Sequence, residues 1–147
     1  MAEDTTAVGH ENEEYPGARL GLPRAGPGSL ATWRARFAAV LLDWAACMAV
    51  AVGVFGRAVL TSRGWQSWMI LTVFFVETSV LGAVAAGSLG QLICRIGIIR
   101  LDRKPLGIVR AVVRALLVSL ALPALVIGAD RRGVQDLAVG TVVVNRR

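Results

Sequence analysis

The stretch FAAVLLDWAACMAVAVGVFG, residues 37–56, decides the fold class of this chain. It carries a single charge, Asp43, and its 20 residues match the roughly 20 that a helix needs to cross a bilayer core. Arg36 precedes it and Arg57 follows it, so the apolar run is bracketed by cations. The stretch therefore predicts a membrane-spanning helix.

A second apolar run covers residues 68–86 and again contains one charge, Glu77. Trp65 and Trp68 stand at its start, where membrane proteins place an aromatic belt at the lipid–water interface. The polar connector between the two runs is short, which is typical of antiparallel neighbouring helices. We therefore expect a second membrane-spanning helix here.

The third hydrophobic segment, residues 108–129, is ambiguous. Arg110 and Arg114 lie in its first half, and Pro123 interrupts the charge-free stretch 115–129. An apolar stretch this short fits a span, a re-entrant segment or an interfacial helix.

The distribution of arginines bears on that choice. If the third segment turns back, only Arg57 and Arg63 of the 16 basic residues lie outside, whereas three full crossings add the last four arginines to them. The positive-inside rule favours the turn-back arrangement. We therefore expect a multi-pass protein of the plasma membrane, with both its N-terminus and its C-terminus in the cytoplasm.

The overall composition excludes several classes of protein. Of 147 residues, 55% are hydrophobic and 18% charged, against about 25% charged in average usage. A disordered chain would be poorer in apolar residues, and two cysteines cannot build a disulfide scaffold. The net charge is +6, and the basic residues flank the apolar runs instead of forming one basic face. The predicted partner is therefore the lipid bilayer and not nucleic acid. The predominance of arginine over lysine suggests a GC-rich, actinobacterial source.

Residues 1–32 form a polar leader rich in acidic residues, glycine and proline, with no apolar core of a signal peptide. We expect it to be a disordered cytoplasmic tail, and residues 33–147 to form the membrane domain. The alternative is a docking arm that becomes ordered on a partner.

Residues 87–107 mix isoleucines and leucines with arginines and are too charged to span a bilayer. We expect an interfacial amphipathic stretch, either helical or a short extended hairpin. The β-branched run 141–144 predicts a short extended segment, whose residues 142–144 could pair with 96–101. The predicted fold class is an all-α integral membrane protein with these two additions.

Charges inside the apolar runs are the strongest functional signal. An ionisable group within a span costs about 2.5–3.5 kcal/mol on insertion scales, so it normally has a partner. Two helical turns bring Arg36 and Asp43 to one face, and Arg110 and Arg114 share another. The hypothesis is a buried cluster of Asp43, Glu77 and Arg114, completed by Arg36 or Arg110. The favoured role is pairing that sets the helix register, and the alternative is an ion or proton pathway.

Small residues form two potential packing seams. Ala45, Ala49 and Gly53 recur every four residues on the first run, roughly opposite Asp43. On the second run the same spacing joins Gly82 to Ala86. Alanine-rich helices produce such spacings by chance, but we interpret these seams as helix-packing surfaces, within the chain or with a partner.

The residues that usually carry catalysis are sparse. His10 is the single histidine, and the separation of Cys47 and Cys94 has no metal-ligand spacing. We therefore predict a protein that is not an enzyme and that has no metal or cofactor.

Several motifs together resemble the RDD family of small prokaryotic membrane proteins, named for one Arg and two Asp. In RARFAAVLLD the family's first Arg and Asp look like Arg36 and Asp43. SLGQLICRIGIIRLDRKPLG resembles the turn and amphipathic stretch after the second span, and IVRAVVRALL resembles the Arg-bearing helix that follows. DLAVGTVVV is similar to the closing motif, with Asp136 as the second family Asp.

The resemblance covers residues 33–144 and implies a cytoplasmic closing motif. Two positions depart from the family pattern: Gln91 follows Gly90 where a lysine is usual, and Gln135 precedes Asp136 where His or Gly is usual. Some family members are linked to transport, including cation–proton exchange, and others are accessory membrane proteins.

Three functions fit these observations. The leading hypothesis is an accessory subunit that stabilises a larger membrane assembly, such as a respiratory-chain complex, with other membrane subunits or a homo-oligomer as partners. The second is a small ion- or proton-coupled transporter that uses Asp43 and Glu77. The third is a membrane-anchored adaptor that works through residues 1–30.

Overall fold

The computed structural model describes residues 15–120 and 132–146 and is mostly helical. Two long helices, α1 and α3, are accompanied by four shorter ones and by two strands. Their bounds in chain order are α1 Trp33–Phe55, α2 Ala58–Thr61, α3 Met69–Ala85, α4 Leu89–Ile93, β1 Ile96–Arg100, α5 Ile108–Ser119, α6 Val134–Val139 and β2 Thr141–Asn145. Single turns of 3-10 helix cover Ala18–Leu20 and Trp65–Trp68.

The two predicted spans are confirmed as helices long and apolar enough to cross a bilayer. Helix α1 has 23 residues and thus a length of about 34 Å, and the side chain of Thr32 caps it by accepting from Ala35 N at 3.3 Å. The second helical stretch, Trp65–Ala85, has 21 residues. Most of both helices is exposed in the monomer, as expected for surfaces that face lipid or other helices.

Helix α5 packs along α3 and begins the third hydrophobic segment. A close approach is possible because Gly82 of α3 faces Ala111 of α5, with space for a single methyl group between them. The predicted continuation of this segment, with Pro123, lies outside the described residues.

The strands β1 and β2 form a two-stranded antiparallel sheet. Gly97 pairs with Val144, Ile98 with Val143 and Ile99 with Val142, which confirms the predicted pairing of 142–144 with 96–101. The fold is therefore mostly helical, as predicted, and the predicted extended segment is one strand of this small sheet.

The stretch 87–107, predicted to be helical or a short extended hairpin, contains both the short helix α4 and the strand β1. Ile96 and Ile98 are buried in the core with Ala31 and Val143, so this part of the stretch packs within the protein. Burial of the β-branched side chains and pairing with β2 stabilise the strand.

The described part of the leader, residues 15–32, packs on the sheet, in contrast to the expectation of a disordered tail over these residues. Gly28 N donates to the Asn145 carbonyl at 2.7 Å, and Ala31 N donates to the Val143 carbonyl at 3.0 Å. Leu22 and Leu30 pack against the valines of β2. The leader thus covers the free edge of the sheet, which would otherwise expose unpaired backbone groups. Residues 1–14 lie outside the described part.

The start of α1, the end of α3 and the sheet lie together at one end of the helices. The guanidinium of Arg146 donates to the carbonyls of Ala85 and Ala86, which are exposed acceptors at the α3 C-terminus. Gly97 makes room for this contact, because a Cβ there would overlap the Arg146 side chain. The described part of the leader and β2 therefore lie at the same end of the helices.

The packing of α3 on α5 predicts a size limit at Gly82. Gly82→Ala should leave the thermal unfolding midpoint in detergent unchanged, because the added methyl would contact Ala111 at 3.5 Å. Gly82→Leu should destabilise the protein by about 1–3 kcal/mol through overpacking. Equal midpoints for the two variants would contradict this packing.

Candidate functional site

Helix α4 lies against α1, and its first turn is held by its own side chains. Ser88 is the N-cap, and its hydroxyl accepts from Gln91 N at 3.4 Å. The side chain of Gln91 accepts in turn from Ser88 N at 3.1 Å. This reciprocal capping box satisfies two of the four backbone N–H groups that a helix N-terminus leaves without a partner in its own helix.

The carboxylates of the two long helices accept from the other two N–H groups. Glu77 of α3 accepts from Leu89 N at 2.7 Å, and Asp43 of α1 accepts from Gly90 N at 2.5 Å. The Ser88 hydroxyl also donates to the second Asp43 oxygen at 2.5 Å. The positive end of the α4 dipole favours both negative charges. The two carboxylates thus anchor α4 between α1 and α3.

Glycine is required at position 90 because α4 approaches the backbone of α1 closely. A Cβ on Gly90 would overlap the Ala39 carbonyl oxygen and lie 2.9 Å from an Asp43 carboxylate oxygen. The Ala39 carbonyl belongs to the α1 backbone and cannot rotate away as a side chain could. Gly90 therefore sets the distance at which Asp43 reaches the α4 N-terminus.

A second buried group of charges surrounds Asp136 of α6, which is fully buried. Arg114 of α5 donates from Nε to one carboxylate oxygen at 3.0 Å, and Thr141 of β2 donates to the same oxygen at 3.3 Å. Arg36 of α1 approaches the other oxygen at 3.6 Å. Asp136 therefore joins α1, α5 and β2 through three side chains.

Arg36 and a further arginine, Arg132, extend this network to the backbone. Arg132 is buried and donates to the carbonyls of Thr141 at 3.0 Å and Asp136 at 3.2 Å. Arg36 donates to the Val143 carbonyl at 3.2 Å. The guanidinium groups use their several donors to satisfy carbonyls at the junction of α6 and β2.

A cavity of about 290 Å³ lies between the two groups of charges. Its charged lining comprises Arg36, Asp43, Arg114 and Asp136. Phe37 and Phe74 are among its apolar walls. The cavity thus brings charged and aromatic side chains together in one place.

The structure brings together some of the predicted cluster residues and separates others. Arg36, Asp43 and Arg114 line the cavity. Arg114 forms its ion pair with Asp136 and not with the predicted partners, Asp43 and Glu77. Glu77 is half-buried and binds α4. Arg110 is exposed and does not complete the cluster; it lies on the same face of α5 as Arg114 but one turn earlier, near the start of the helix.

The two predicted packing seams differ in whether they contact another helix of the chain. Ala45, Ala49 and Gly53 are exposed on the outer side of α1. Gly82 packs on α5, and the carbonyl of Ala86 accepts from Ile98 N at 2.7 Å at the end of α3. Only the second seam is therefore used within the described part of the chain.

Sequence reasoning missed Ser88, Gly90 and Arg132 as parts of the site. The signal for Ser88 was present, because Ser-x-x-Gln before an apolar run is a capping-box pattern. No local pattern marks Arg132, whose acceptors are backbone carbonyls supplied by tertiary structure. Among residues 15–120 and 132–146, no three His, Cys, Asp or Glu side chains converge as metal ligands.

The family model of the RDD family matches residues 30–142, which include both long helices and most of the sheet. This chain belongs to the RDD family. Comparisons with curated proteins and with solved structures gave no match. The three residues that resemble the family's Arg and two Asp, namely Arg36, Asp43 and Asp136, all line the same cavity in this RDD protein.

The close approach of α4 to α1 at Gly90 can be tested by adding a single methyl group at this position. Gly90→Ala should lower the free energy of unfolding by about 3 kcal/mol, the upper end for overpacking, because the clash is with backbone. Gly53→Ala is the matched control, since a Cβ there meets nothing within 4 Å. Thermal unfolding of both variants in the same detergent measures the difference, and equal stability would contradict the proposed contact.

Asp136→Asn should destabilise the protein by about 3–5 kcal/mol, since Arg114 and Arg36 would remain buried without a counter-charge. Asp102→Asn is the control, because Asp102 pairs with Arg100 at an exposed site where a pair contributes at most about 1 kcal/mol. Denaturant titration would compare the two. A smaller loss for Asp136→Asn than for Asp102→Asn would show that the buried cluster does not stabilise the fold.

Proposed function

We propose that this RDD protein is a non-enzymatic accessory subunit that stabilises a larger membrane assembly through the outer side of α1. The observation that carries the proposal is the groove on that side, in which the small residues Ala45, Ala49 and Gly53 lie open. Leu41 and Trp44 form part of its walls. Seams of this kind allow a second transmembrane helix to approach closely.

The arrangement of the intramembrane carboxylates supports a structural role. Asp43 and Glu77 each accept a hydrogen bond from the backbone of α4, and Asp136 is bound by two arginines. Groups engaged in this way lock helices in register. A role in moving ions would require these contacts to break and re-form during each cycle.

The plasma membrane is the proposed location, with the sheet on the cytoplasmic side. Arg95, Arg103 and Lys104 lie in the segments at the sheet end, whereas Arg57 and Arg63 lie in the connector between α1 and α3 at the other end. The excess of cations at the sheet end matches the positive-inside rule.

Substitution within the groove should release the partner. In mild detergent, the tagged protein should purify with other membrane subunits in a fixed ratio, and Ala49→Leu should reduce their recovery at least about fivefold by filling the seam. Val84→Leu is the control, because Val84 is 81% exposed on α3 and lies outside the groove. A monodisperse wild-type protein that purifies alone would contradict the proposal.

A second candidate function is ion- or proton-coupled transport, and the cavity that Asp43 and Asp136 share supports it. In proteoliposomes, ion or proton flux that disappears in the combined Asp43→Asn and Glu77→Gln variant would favour transport. Flux that persists in this variant would remove both carboxylates from the mechanism. Since the groove variant Ala49→Leu leaves both carboxylates in place, it should not alter such flux.

A further inference from the structure

The loop between β1 and α5, residues 101–107, contains a single acidic residue, and that residue is engaged within the loop. Asp102 pairs with the guanidinium of Arg100 and accepts from Lys104 N at 3.3 Å. Arg100 also donates to the Pro105 carbonyl at 2.9 Å. These contacts shape the loop, and because one acid faces the three cations Arg100, Arg103 and Lys104, the segment keeps a net charge of about +2.

Two cations of the loop remain exposed. Arg103 and Lys104 are both exposed, and within the described residues neither side chain forms an ion pair or a hydrogen bond. Arg103 has a φ of 58°, the left-handed conformation that costs free energy in a residue with a side chain. The loop therefore holds adjacent positive charges in a defined turn.

A pocket of about 270 Å³ adjoins these cations. Its walls include Ile98, Ile99 and Leu106, while Arg103 and Lys104 form part of its rim. The pocket thus places an apolar surface directly beside two positive charges.

Helix α5 begins directly after the loop and also exposes apolar side chains. Ile108 and Val109, the first residues of α5, are 73% and 77% exposed. Val112, Val113 and Leu116 continue the exposed apolar face along the helix. A ligand that contacts both the loop and this face must have a negative head and a long apolar tail.

We propose that the 101–107 loop and the outer face of α5 together bind an anionic phospholipid. The phosphate lies against Arg103 and Lys104, and an acyl chain runs along Ile108, Val109 and Val112. Charge complementarity selects the anionic headgroup, and the adjoining exposed apolar face selects a lipid over a soluble phosphate or a nucleic acid. This site lies outside the cavity around Asp136 and is independent of the proposed partner groove.

Native mass spectrometry of the purified full-length protein in detergent can test the site. With added phosphatidylglycerol, the wild type should retain lipid, and the Arg103→Gln/Lys104→Gln variant should bind it about tenfold more weakly or worse, since each cation near a headgroup contributes substantially to binding. The control is Arg57→Gln/Arg63→Gln, which removes the same charge from two exposed arginines of the other connector. The control should bind the lipid as the wild type does.

Three outcomes would overturn the proposal. They are equal retention of phosphatidylglycerol by the two double variants, equal retention of phosphatidylcholine and phosphatidylglycerol by the wild type, and displacement of the lipid by millimolar inorganic phosphate. Displacement by phosphate would mean that the headgroup charge alone is recognised. Thermal unfolding in phosphatidylcholine checks that both double variants are folded. We expect midpoints equal to that of the wild type, because all four substituted side chains are exposed.

Discussion

The buried carboxylate of Asp136 is the interaction on which the rest of the structure depends. It accepts from Arg114 and Thr141 and lies 3.6 Å from Arg36, so one residue joins α5, β2 and α1. A buried arginine left without a counter-charge costs several kcal/mol, and two arginines converge here. Because each contact comes from a different element, Asp136 links three elements at the sheet end of the helices. Arg132 secures that placement by binding the carbonyls on either side of the α6–β2 turn.

Asp43 and Glu77 have a different role, which is to supply hydrogen-bond acceptors for the N-terminus of α4. A short helix such as α4 begins with backbone N–H groups that need acceptors, and in an apolar setting water cannot supply them. The two carboxylates supply them from α1 and α3, and Gly90 lets α4 come close enough for the contact. The usual cost of placing a carboxylate among apolar helices is thereby offset by hydrogen bonds and by the α4 dipole. The two carboxylates therefore anchor α4 to α1 and α3.

The inside and the outside of the molecule suggest separate roles. The residues that resemble the RDD family signature line one shared cavity and connect the helices to the sheet, while the outer faces of α1 and α5 expose small and apolar side chains. We propose a partner helix for the first of these outer faces and an anionic lipid for the second. Both proposals place recognition on surfaces that the described fold leaves open, and both leave the buried charges intact.

The sequence by itself determined the two spans, the small residue Gly82 at a helix contact and the strand-forming character of the closing valines. These features follow from local rules: about 20 apolar residues cross a bilayer, small residues let helices approach, and β-branched runs form strands. Only the tertiary structure decided which charges meet. Arg114 could have paired with Asp43, Glu77 or Asp136, and periodicity cannot choose among them because it describes one helix at a time. The leader shows the same limit, since nothing in its polar, glycine-rich composition predicts that its described residues, 15–32, pack on the free edge of β2.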